Sequence, residues 1–204
     1  MKPTSLPDEA EAVETPDATD REPLLEARDL ALGGLFGALA IVLPVVFHAL
    51  GPGVGPILLP MYLPILALGL LVSWRTSALV GLLAPLLSSV LTGMPPMAPP
   101  IALLMSAELA ALAAAAGLAR STGVPLWVAC LLALMASRVV GTLALLTIGH
   151  ALGYNQSIWQ YAVLSLALAW PGLALQLTVV PATVFALEKT SLLGSRWRKV
   201  THGA

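Results

Sequence analysis

GLLAPLLSSVLTGMPPMAPPIALLMSAELA, residues 81–110, holds two apolar runs split by the nine-residue break Thr92–Pro100. Four prolines and one glycine in that break forbid a continuous helix. The runs on either side continue outward almost without charge, and an uninterrupted apolar stretch of about 20 residues is what a helix needs to cross a bilayer. The segment therefore reads as two membrane spans joined by a short loop, and the second span carries a carboxylate, Glu108, within it.

The rest of the 204-residue chain fits that reading. It is 58% hydrophobic and only 10% charged, with a mean hydropathy of +0.89, which excludes an ordinary water-soluble globule. Of the 21 charged side chains, 12 fall in residues 1–29 and five in residues 188–199. Only Arg75, Glu108, Arg120 and Arg138 lie between. The net charge of −1 thus averages an acidic head, a basic tail and a nearly neutral body, and gives no footing for nucleic acid. Residues 1–28 read as a disordered acidic cytoplasmic tail, 29–189 as one transmembrane domain, and 190–204 as a basic cytoplasmic tail. A basic, then apolar, signal-peptide pattern is absent from the first 29 residues, so the apolar stretch from Leu30 reads as a retained span.

Gly and Pro clusters divide the body into an all-α bundle of six spans: about 29–50, 61–73, 76–91, 101–119, 124–149 and 161–188. Cytoplasmic loops retain Lys and Arg. With both termini cytoplasmic, Arg75 and Arg120 fall inside with the basic ends, and the opposite loops 51–60, 92–100 and 150–160 hold no Lys or Arg. At about 1.5 Å of rise per residue, Glu108 lies roughly 12 Å and Arg138 roughly 15 Å below the outer face. His48, Tyr62, Trp170 and Gln176 fall in the same half, with Asn155 in the loop above.

Charges at that depth require compensation. Two arrangements provide it: an ion pair between Glu108 and Arg138, or a pocket in which Arg138 meets an anionic group of a ligand and Glu108 accepts from a donor. Gln176 stands one turn after Gly172 and is a candidate amide contact to a ligand or to another helix. Tyr62 and Trp170 are candidates for stacking on a ring, or for interfacial anchoring. His48 is a candidate pocket group or a headgroup-facing helix end. Small residues on the first span, including Gly33, Gly37 and Ala38, permit close approach of another helix, internal or from a partner. The single cysteine, Cys130, excludes disulfide frameworks, and no metal or cofactor site is expected. No phosphate-binding loop, nucleophile elbow or zincin motif occurs, so the chain is expected to be neither an ATPase nor an enzyme of those kinds.

The strings RDLALGGLFGALAIVLPVVFHALG (28–51), LPMYLPILALGLL (59–71), GLLAPLLSSVLTGMPPMAPPIALLMSAELA (81–110) and PGLALQLTVVPATVFALEK (171–189) resemble the substrate-binding S components of energy-coupling factor (ECF) transporters. The resemblance covers nearly everything after the tail. It implies a six-helix protein of the cell membrane that captures a vitamin or related micronutrient from outside. It further implies partners: a transmembrane coupling subunit and two ABC ATPases. By family position the pocket residues are Tyr62, Glu108, Arg138 and Gln176, and the docking residues are Gly33, Gly37 and Ala38. Where the family commonly has His, this chain has Tyr62, so a relative's substrate does not transfer. A solitary ion-gradient carrier using Glu108, an intramembrane enzyme using Glu108 and His48, and a non-transport scaffold are the competing readings.

Overall fold

A computed structural model describes residues 27–49, 51, 57–154, 157, 159, 167 and 169–189. Both tails, apart from Ala27 and Arg28, lie outside the described residues, as does Asn155. The described residues form six helices and no strand: α1 (Ala27–Ala49), α2 (Tyr62–Leu71), α3 (Trp74–Thr92), α4 (Ile101–Ser121), α5 (Leu126–Ala144) and α6 (Trp170–Lys189). A wider π-type turn, Leu145–Gly149, prolongs α5, and Nδ1 of His150 lies 3.1 Å from the Leu145 carbonyl oxygen there.

Five helices are long and apolar enough to cross a membrane: α1, α3, α4, α5 with its extension, and α6. The second span is shorter than the sequence predicts. Leu59 takes a left-handed φ of 49° ahead of it, and Val72 is extended behind it. Ser73 then caps the next helix, its side chain accepting from the Thr76 amide. The ten residues that remain regular are buried except for Leu63, and α2 touches all five other helices.

In lipid, apolar side chains gain nothing by leaving one hydrocarbon for another, so helix association rests on close packing and hydrogen bonds. The small residues of α2 and α4 supply that packing. A side chain at Gly69 would lie 2.8 Å from both the Ala113 carbonyl oxygen and the Ala116 Cβ, and one at Gly117 would lie 2.8 Å from the Trp74 Cα. The alanine run of α4 is therefore the seat of α2. Asp29 adds a polar tie, its buried carboxylate accepting at 3.1 Å from the Ser73 backbone amide, which joins the start of α1 to the α2–α3 turn.

These contacts order the ends of the bundle. The start of α1, the α2–α3 turn and the end of α4 meet at one end, and the end of α6 joins them through an Arg120–Glu188 ion pair of 2.6 Å. Arg28, Arg75, Arg120 and Lys189 all belong to these segments. The opposite end gathers the end of α1, the start of α2, the α3–α4 loop and the start of α4 around a cavity.

Candidate functional site

The cavity has a volume of about 480 Å³. From α1 it takes Pro44 and His48, one turn apart on the same face. The approach to α2 contributes Leu59, Pro60 and Met61, and its first residue contributes Tyr62. The α3–α4 loop contributes Gly93 through Pro96, and α4 contributes Ile101 and Met105. Local chemistry fixes the loop wall. Gly93 ends α3 in the left-handed conformation at φ 74°, where a glycine stops a helix with little strain. The Ser88 hydroxyl then donates to the Met94 carbonyl at 2.7 Å, and the Thr92 hydroxyl donates to the Ser88 carbonyl at the same distance.

Beside the cavity, α4 and α5 are joined by an ion pair in which the Arg138 Nη1 lies 2.8 Å from the Glu108 Oε1. Glu108 is 3% exposed, so its charge is met inside the bundle by the guanidinium and is not left to water or lipid. The Arg138 guanidinium carbon also lies over the Tyr62 ring, 5.4 Å from its centroid, at cation–π range. Tyr62 is thus shared, lining the cavity and carrying the cation of the pair. Glu108 and Arg138 themselves do not line this cavity.

The remaining candidates separate clearly. His48 is at the cavity, and its Nδ1 atom is buried without a hydrogen-bond partner among the described residues. Gln176 is completely buried in α6, and neither its amide oxygen nor its nitrogen is hydrogen-bonded among the described residues. Among the described residues it neither lines this cavity nor hydrogen-bonds to another helix. The room expected beside Gly172 is occupied, since a side chain there would lie 2.7 Å from the Ile57 carbonyl oxygen. That glycine serves close backbone packing. Trp170 is 66% exposed at the start of α6 and is not among the described residues that line the cavity with His48 and Tyr62.

On α1 the small residues divide between two faces. Gly33 and Gly37 pack inward on Val80 of α3, each with a built Cβ at 3.3 Å from a Val80 methyl. Gly34 has nothing within 4 Å at that position, and Ala38 is exposed. Among the described residues, no group of three or more His, Cys, Asp or Glu side chains could hold a metal ion.

Tyr62 and His48, both candidates in the sequence, line the cavity, whereas its apolar lining was not among the candidates. Met61, Met94 and Met105 with Pro44, Pro60, Pro95 and Pro96 were legible only as helix breakers and span residues. The concentration of Met and Pro in 60–61 and 94–97 was the available signal, because the sequence assigns both breaks to the same side of the membrane. No protein-family model, curated protein or solved structure matches the chain.

Proposed function

We propose that the chain is the membrane-embedded substrate-capture subunit of an ECF-type importer of the cell membrane. It takes a vitamin or related micronutrient from the outer side and hands it on with a separate ATP-driven coupling module. The observation that carries the reading is the cavity walled by His48, Tyr62 and the Met94–Pro96 loop, at the end of the bundle opposite the basic residues. Its volume of about 480 Å³ falls in the range that encloses a small organic molecule. In the proposed topology six segments alternate across the membrane, both termini are cytoplasmic, and the cavity faces outward.

The pocket is built to hold rather than to react. Glu108 and Arg138 engage each other and steady Tyr62 from the protein side, while the lining offers walls and few polar groups. With no phosphate-binding loop in the sequence, the energy source belongs to partners. The exposed Gly34 and Ala38 on α1 provide a small-residue face on which a coupling subunit docks, while Gly33 and Gly37 are engaged by α3.

Uptake tests this directly. Cells producing the chain with a coupling subunit and two ABC ATPases accumulate a labelled micronutrient, and lose that uptake when the ATPases are inactivated. Uptake that persists without any ATPase and collapses with an uncoupler replaces the proposal with a solitary carrier.

A further inference from the structure

We infer that the molecule captured in this cavity is uncharged and largely apolar, built on a flat ring, and bound without a counter-ion from the protein. This inference rests on the capture reading and specifies the substrate class of the same site. It also departs from what the ionised residues suggest in sequence, where Arg138 invites a carboxylate.

Three observations carry it. Among the described lining residues only His48 and Tyr62 bear polar side-chain groups, and no carboxylate, ammonium or guanidinium of a described residue lines the wall. A charged ligand moved from water into such a space loses its hydration and meets no opposite charge. Second, the nearby cation is committed: Arg138 is 2.8 Å from Glu108, which is itself buried. A ligand carboxylate that drew Arg138 away would strand the Glu108 charge in the bundle, exchanging one buried ion for another with no gain. A cationic ligand fares no better, because Glu108 is already neutralised. Third, the wall offers the Tyr62 ring for a flat face to stack on, while prolines hold their backbone rigidly and the thioethers of Met61, Met94 and Met105 adapt to the remaining outline. At about 30 Å³ per water, the volume holds roughly sixteen waters, room for a substituted ring system. The His48 imidazole, able to donate or accept, can serve one polar substituent.

The test uses the full chain in lipid nanodiscs, with empty nanodiscs subtracted for partition into lipid. Equilibrium dialysis compares pairs that share a ring and differ in charge: indole-3-acetamide with indole-3-acetate, and nicotinamide with nicotinate. The uncharged member of at least one pair should bind tenfold or more tightly than its carboxylate at pH 7. Met94→Trp, a half-exposed loop position that tolerates a large side chain, should weaken that binding at least tenfold by filling the space. Met105→Trp repeats the block from α4 should the loop variant fold poorly. Equal or tighter binding of the carboxylates overturns the inference and leaves the capture reading standing, and its loss in the double variant Glu108→Met with Arg138→Met, which keeps no stranded charge, traces it to the guanidinium. Failure of every probe in both pairs, with no retained small molecule found by mass spectrometry of the purified chain, counts against capture itself.

Discussion

α4 carries two Arg–Glu pairs with opposite polarity. Two turns in, Glu108 meets Arg138 of α5 at 2.8 Å; at its end, Arg120 meets Glu188 of α6 at 2.6 Å. Distance would rank the second pair as the stronger. Surroundings reverse the order: the side chains of the first are 14% (Arg138) and 4% (Glu108) exposed, those of the second 17% (Arg120) and 24% (Glu188). A carboxylate sealed in the bundle depends on its partner, whereas one with access to water at a helix end has an alternative. The deep pair also supports a third group, because Arg138 sits over the Tyr62 ring. Identical chemistry thus does two jobs on one helix, backing Tyr62 behind the cavity in one place and fastening helix ends in the other.

The largest effect that would break this contrast comes from Arg138→Ala, which strands Glu108. It should lower stability by about 3–5 kcal/mol, read as a thermal-unfolding shift in detergent, and the double change Glu108→Met with Arg138→Met should recover most of the loss. A double variant as unstable as the single one would show that the pair is not what matters. Gly69→Val sharpens the comparison by acting between the pairs: it pushes α2 from the Ala113–Ala116 seat and should cost about 1–3 kcal/mol. Gln176→Leu should move the other way. Removing a buried amide with no hydrogen bond among the described residues should stabilise the ligand-free chain by about 1 kcal/mol, and a destabilised variant would reveal a partner for that amide. Smallest is Glu188→Gln at the watered end, expected within about 1 kcal/mol of the parent and fading further in high salt.

The helical class and the break before Ile101 were legible in the chain, because apolar length and Gly–Pro clusters are local properties, whereas the start expected near 161 for the sixth span lies outside the described residues. The Glu108–Arg138 pair was legible as one of two arrangements, since charge depth follows from helical rise once the spans are set. What could not be read was mutual placement. Arg120 and Glu188 stand 68 residues apart, and nothing local in either says that they meet. Asp29 reads in sequence only as the residue that opens the first span, yet it is buried on the Ser73 amide. The apolar run through Ser73 gave no sign of its interior position, because hydrophobicity alone does not distinguish a lipid-facing helix from an interior one. The cavity wall was hidden for the same reason, as Met and Pro at loop ends acquire meaning only when the α1, α2 and α4 ends converge.

The interior position of α2 bears on how the protein responds to its bilayer. A helix of ten residues extends about 15 Å, roughly half the hydrocarbon depth, and nearly all of its surface is covered by neighbours. Thickening or thinning the membrane changes the tilt of the longer helices that meet lipid, and that strain passes to α2 only through their contacts. Since Tyr62 heads α2, acyl-chain length becomes a lever on the shape of the cavity mouth.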